Sequence, residues 1–215
     1  MLFTDPRAQE VFEEYNERHQ RELKLSRETP REGSGLSRDE KLLPVGRNVG
    51  DFLRSLAIGR GPKLILELGT SYGYSTLFLA DAARQAGAKV ISIDTAQHKQ
   101  DYAAGMLARA GLADFVEFRC GDAAQIISSE AGPVDMALLD IWKSAYVDAF
   151  EALYPKLSEA GIVVSDNMIY PESAREQVRE YRRAVQAKGD IQNVLLPIGS
   201  GIDVSIKWSP DSESL

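Results

Sequence analysis

The sequence predicts an α/β fold: a mostly parallel seven-stranded sheet with helices on both faces and an antiparallel hairpin at its C-terminal edge. Three observations point there. From Pro62 onward, short continuous apolar runs alternate with helical patterns, the rhythm of a parallel sheet covered on both sides. The last two runs are separated only by residues 197–201, too few for a parallel crossover, so they should pair as a hairpin. The 215 residues, 44% apolar and 27% charged, have an ordinary globular composition and suit one domain with a helical extension.

Taken in order, residues 4–25 read as a helix. Thr4 can cap it, Asp5 and Pro6 suit a first turn, and Val11, Phe12, Tyr15 and His19 recur on one face. Residues 26–47 are rich in charge, Gly and Pro with little apolar periodicity and read as a loop or lid. The first strand is Leu64-Ile65-Leu66-Glu67-Leu68, followed by a helix over 75–85; the second is Val90-Ile91-Ser92-Ile93-Asp94, followed by a helix over 97–110. A strand near 115–118, a short helix over 123–128, a fourth strand over 134–140 and a helix over 145–156 come next. The fifth strand is Ile162-Val163-Val164-Ser165; a long helix over 171–188 and strands near 193–196 and 202–208 close the chain. The organisation expected is an N-terminal helix and lid over 1–47, a main domain over 48–208 and a tail over 209–215.

Composition narrows the function. With 25 Lys and Arg against 32 Asp and Glu, the net charge is −7, the wrong sign for broad attraction to a phosphate backbone. No apolar run reaches a membrane-spanning length, and the first ten residues lack the regions of a signal peptide, so a cytoplasmic location is expected. Cys120 is the only cysteine, and His19 and His98 the only histidines. A disulfide, a cysteine-cluster zinc site and a histidine-based metal centre are therefore not expected.

In open sheets of this kind ligands sit beyond the carboxyl ends of the strands. The first such end is Glu67-Leu68-Gly69-Thr70-Ser71-Tyr72-Gly73-Tyr74-Ser75. Gly69 and Gly73 let the backbone turn sharply and approach a ligand, and Ser75 can cap the next helix. The three-glycine dinucleotide fingerprint is absent. Asp94 ends the second strand, where it can accept both ribose hydroxyls or cap a helix; Asp122 and Ala123 follow Gly121, where Asp122 can meet an adenine edge or cap. Together the three sites suggest a nucleoside-containing cofactor.

Farther on, Asp140 ends the fourth strand, and Asp166 and Asn167 end the fifth. Two carboxylates and an amide oxygen form a hard donor set suited to Mg2+, Mn2+ or Ca2+, unless they only turn the chain. Lys143 lies three residues beyond Asp140, and a nearby cation would lower its pKa towards that of a useful base. Trp142 can wall a flat ring.

These residues resemble the class I S-adenosylmethionine-dependent O-methyltransferases, in particular the metal-dependent catechol and caffeoyl-CoA group with its bacterial relatives. The likeness covers about residues 46–207. It implies a Rossmann-like class I methyltransferase fold. It further implies S-adenosylmethionine over Glu67, Gly69, Ser71, Gly73 and Ser75, with its ribose on Asp94 and its adenine near Asp122 and Ala123. Asp140 would face both the cofactor and the metal, completed by Asp166 and Asn167, with Lys143 as general base and Trp142 in the acceptor pocket. The acceptor implied is a small phenol or catechol-like molecule, with neither nucleic acid nor membrane as partner and a homodimer as the assembly left open. One departure is visible. Catechol enzymes carry a glutamate shortly before the final hairpin turn, where this chain has Val194-Leu195-Leu196-Pro197; Asp203 is the acid just beyond.

Three other classes compete. A nicotinamide-dependent oxidoreductase lacks its third glycine and a matching Tyr and Lys pair. A nucleic-acid methyltransferase would use Arg175, Arg179, Arg182, Arg183 and Lys188 as a basic strip, although Glu176 and Glu180 share that helix. A non-catalytic cofactor-binding protein would not need Asp140, Lys143, Asp166 and Asn167 together.

Overall fold

The computed structural model describes residues 2–28, 36–130 and 132–208. The expected lid is therefore described only in part, and the expected tail lies outside the described residues. In chain order the elements are α1 (Pro6–Glu28), α2 (Arg47–Arg60), β1 (Leu64–Leu68), α3 (Tyr74–Ala86), β2 (Lys89–Asp94), α4 (Gln97–Arg109) and β3 (Val116–Cys120). They continue as α5 (Ala123–Ser129), β4 (Val134–Leu139), α6 (Tyr146–Leu153), β5 (Leu157–Ser165), α7 (Arg175–Gln186), β6 (Ile191–Leu196) and β7 (Ile202–Lys207).

The seven strands form one sheet in the order β3-β2-β1-β4-β5-β7-β6. Strands β1 to β5 pair in parallel, β7 pairs antiparallel with β5, and β6 forms the edge through its hairpin with β7. The chain order reverses between β1 and β4, which opens the crevice where ligands meet such sheets. Alternation along each strand sorts the core. Leu66, Leu68 and Leu139 pack with Phe150 and Tyr181 of α6 and α7 on one face. Ile65, Met136 and Leu138 pack with Leu53 of α2 and Leu79 of α3 on the other. A third cluster joins Phe12 and Tyr15 of α1 to Phe78 of α3 and Leu107 of α4. Among the described residues no helix is long and apolar enough to cross a membrane.

Two expectations are corrected here. Asp5, not Thr4, caps α1: its Oδ1 accepts the Arg7 amide at 2.9 Å, with Pro6 opening the helix. The sequence reading also assigned nothing between the lid and β1, where α2 stands. Gly50 and Gly59 depress its helix propensity, yet Val49, Leu53 and Ala57 recur at helical spacing and are buried without exposure. Tertiary burial overrides the local preference.

Candidate active site

At the end of β1 the chain turns through Gly69 at φ 104° and Gly73 at φ 87°, a left-handed region that favours glycine. Neither position has room for a side chain: a Cβ on Gly69 would overlap the Asp140 carbonyl, and one on Gly73 would lie 2.7 Å from the Ala103 Cβ. The loop is thus pressed against the end of β4. Asp94 fastens it, its Oδ2 accepting the Ser71 amide at 2.7 Å while Oδ1 accepts the Ala96 amide at 2.9 Å. Asp94 does not cap α4, whose N-cap is Ala96 with no side-chain bond; each of its carboxylate oxygens keeps a lone pair for a ligand. Gly121 donates its amide to the Asp94 carbonyl at 2.9 Å, which brings the third strand end alongside. There Asp122 is exposed and caps α5 by accepting the Gln125 amide at 2.9 Å, and Ala123 is half-buried beside it.

Ser75 does not cap α3. The helix begins at Tyr74, and the Ser75 hydroxyl turns inward to donate to Glu67 Oε1 at 2.6 Å. Glu67 is completely buried, and its Oε2 accepts from Thr76 at 2.6 Å and Ser92 at 2.5 Å. The carboxyl therefore ties β1 to β2 and to the first turn of α3, beneath the loop. Burial pushes it up to about 7, against the pull of the three hydroxyls. An acid raised in the folded state holds its proton after the unfolded chain has lost it. Its stabilisation is full below the unfolded value of 4.5 and declines, by about 3 kcal/mol in all, as pH climbs to the folded value. Glu67→Gln should remove that decline. Melting temperatures between pH 4 and 8 test this, and parallel profiles for the two proteins would contradict it.

The ends of β4 and β5 lie side by side. The Asp140 amide donates to the Leu68 carbonyl at 2.8 Å and the Asp166 amide to the Leu139 carbonyl at 3.0 Å. Asp166 is 2% exposed, and among the described residues its Oδ1 has no hydrogen-bond partner. Asn167 follows at φ 53°, a left-handed turn that asparagine tolerates. Burial raises the pKa of both acids, and the Asp140 charge raises Asp166 further. A buried carboxylate oxygen left without a donor is costly, and the half-buried acid Asp140 beside it adds to the call for positive charge. Among the described residues no three His, Cys, Asp or Glu side chains form a metal cluster; the set is two carboxylates and one amide. All-oxygen donors with room for solvent or substrate oxygens suit magnesium, so the residues present fit a divalent cation.

Lys143 reaches this point from the loop after β4. Its Nζ donates to the Tyr146 hydroxyl, lies 3.3 Å from Asn167 Oδ1 and sits 3.9 Å from the Tyr146 ring centre. Burial lowers its pKa to about 8, against the opposing pull of Asp140 and Asp166. Tyr146 is a residue that sequence reasoning missed. Fully buried, it donates to the Leu139 carbonyl at 2.7 Å and lies 3.2 Å from the Asp166 carbonyl, clamping the two strand ends. Its position one helical turn after Lys143 is the signal that was available.

A cavity of about 240 Å³ opens beside these groups, with Trp142, Lys143, Asn167, Arg38 and Gln177 in its wall. Trp142 is 68% exposed, so it stands as a wall rather than as core. Gln177 Oε1 is buried without a partner among the described residues, and helical periodicity alone gave no reason to single it out. Asp203 does not line this cavity. It is fully buried, paired with Arg182 at 3.0 Å and bonded by Asn193. The cationic strip on α7 is interrupted as well: Arg175 pairs with Glu172 and Lys188 with Glu151.

Of the expected lid, Ser26 to Glu28 are not loop but extend α1, Arg47 opens α2, and residues 36–46 run over the Gly69–Gly73 loop. The Tyr72 hydroxyl donates to the Asp39 carbonyl at 3.1 Å, and the Leu42 amide donates to Glu22 of α1 at 2.9 Å. The segment thus joins α1 to the loop and reaches the cavity at Arg38.

A family described as a methyltransferase domain matches residues 66–168. The chain is 32% identical over 169 residues to a catechol O-methyltransferase of Niastella koreensis, covering 76% of this chain and 75% of that one. It is 26% identical over 181 residues to caffeoyl-CoA O-methyltransferase 1 of Eucalyptus globulus, covering 75% and 73%. Among solved structures, the O-methyltransferase TomG of Streptomyces achromogenes, in complex with SAM, superposes with a TM-score of 0.68 at 23% identity over 90% of each chain.

Proposed function

Because this chain belongs to the O-methyltransferases of the catechol and caffeoyl-CoA type, we propose that it moves the methyl of S-adenosylmethionine to a hydroxyl of a small aromatic acceptor, assisted by a divalent cation, Mg2+ foremost. Residues 48–208 carry the chemistry in this reading, and the first 47 cover it. The observation that supports it most is the meeting of Asp140, Asp166, Asn167 and Lys143 at two adjacent strand ends, directly against the loop that Asp94 fastens.

S-adenosylmethionine supplies a methyl group on a sulfonium centre. The Gly69–Gly73 turn gives its methionine end a close backbone, and the free lone pairs of Asp94 accept its ribose hydroxyls. Asp122 and Ala123 border the adenine, while Glu67 and Ser75 keep the loop in shape from below. A divalent cation held by Asp140, Asp166 and Asn167 would lower the pKa of the acceptor hydroxyl and fix its oxygen. Lys143 takes the hydroxyl proton at Nζ, with the Tyr146 oxygen orienting the amine. Trp142 holds the ring, and Gln177 Oε1 accepts a hydrogen bond from a second polar substituent. The oxygen then bonds to the methyl carbon as the carbon–sulfur bond breaks, and proximity rather than covalent catalysis supplies the rate.

Calorimetry tests the cofactor. S-adenosylmethionine should bind and a nicotinamide dinucleotide should not. Asp94→Ala should weaken S-adenosylmethionine by about 1.5 to 3 kcal/mol, the range for hydrogen bonds to a charged group; unchanged affinity would mean that the ribose is held elsewhere.

A further inference from the structure

Arg38 is the exception on its segment. Ser37 donates to the Glu40 carboxylate, Asp39 pairs with Lys99 at 2.6 Å, the Glu40 carbonyl accepts from Arg18 at 2.9 Å, and the Leu42 amide is held by Glu22. These bonds pin the segment between α1 and the cofactor loop. On that fixed base the Arg38 guanidinium carbon lies over the Trp142 ring, 4.6 Å from its centroid; its charge acts on Asp140, yet among the described residues it forms no close ion pair with a carboxylate. It lines the same cavity as Lys143, Asn167 and Gln177.

A guanidinium lying on an indole face keeps its in-plane N–H groups free, and that fork matches a carboxylate in bidentate geometry. The stack also limits the rotamer freedom that an exposed arginine would otherwise lose on binding. An acceptor whose hydroxyl faces Lys143 would carry its other substituents past this edge. We propose that Arg38 selects acceptors bearing a carboxylate on, or a short arm from, the aromatic ring. This inference rests on the acceptor site proposed above.

Calorimetry on the full chain, with S-adenosylhomocysteine and magnesium present, compares 3,4-dihydroxybenzoate with neutral 3,4-dihydroxybenzyl alcohol. The carboxylate should bind roughly tenfold more tightly. That preference should vanish in Arg38→Met, survive in part in Arg38→Lys and shrink in the wild type as salt rises. No preference in the wild type, a preference that survives Arg38→Met, or no binding of either compound would overturn the assignment. An Arg38→Met loss confined to caffeoyl-CoA would place the anion on a remote phosphate and overturn it as well. Binding needs no turnover: an Arg38-dependent preference without methyl transfer would sink the proposed reaction but keep this assignment, and transfer without preference would do the reverse.

Discussion

Replacing Lys143 by Met should lower turnover by roughly 10² to 10⁴, the usual cost of losing a general base, while S-adenosylmethionine affinity barely moves. The amine is held by the Tyr146 oxygen and lies 3.3 Å from Asn167 Oδ1. Burial brings its pKa down to about 8, so a useful fraction is neutral near physiological pH. The wild-type rate should therefore rise with pH towards that value, and the Met variant should lack that limb. A purely structural lysine would give a different signature, because Lys143 also contacts the Tyr146 clamp. In that case the melting temperature would fall and the pH profile would keep its shape. Equal rates for the two proteins across the acidic limb would remove Lys143 from the reaction.

The second large effect concerns the cation. Stripping divalent ions with a strong chelator should abolish turnover, and magnesium or manganese should restore it. Asp166→Ala should prevent that restoration. The unpartnered Asp166 oxygen and its acidic neighbour Asp140 motivate the expectation. A separate readout is thermal: a cation that binds only the folded chain should raise the melting temperature with concentration, and Asp166→Ala should lose the rise. Full turnover in chelator would leave Asp140, Asp166 and Asn167 with structural roles only.

Much of this was legible in the sequence, for physical reasons that also explain the rest. Strands buried on both faces declare themselves as continuous apolar runs, so β1, β2, β4 and β5 were readable, and the five residues before β7 fixed the hairpin. Strand-end residues inherit their place from the sheet, which is why Asp94, Asp140 and Asp166 could be named beforehand. What the sequence hid depends on packing. Ser75 is the kind of residue that caps helices, yet the buried Glu67 carboxyl draws its hydroxyl inward. Helix α2 is masked by two glycines and exists because Val49, Leu53 and Ala57 find a sheet face to cover. Tyr146 and Gln177 belong to helices whose periodicity explains them as core or surface, and only their polar atoms, one bonded to two strand ends and one unbonded, mark them as part of the site.

The most direct test of the account is methyl transfer itself. The chain, magnesium and S-adenosylmethionine labelled with ¹³C in the methyl group are incubated with a panel of phenols and catechols, and the products are read by mass and by the carbon shift of the new methyl. The account predicts a gain of one labelled methyl, attached to oxygen, on at least one acceptor. Label found only on nitrogen or carbon, or S-adenosylmethionine bound with no label transferred across the panel, would contradict it.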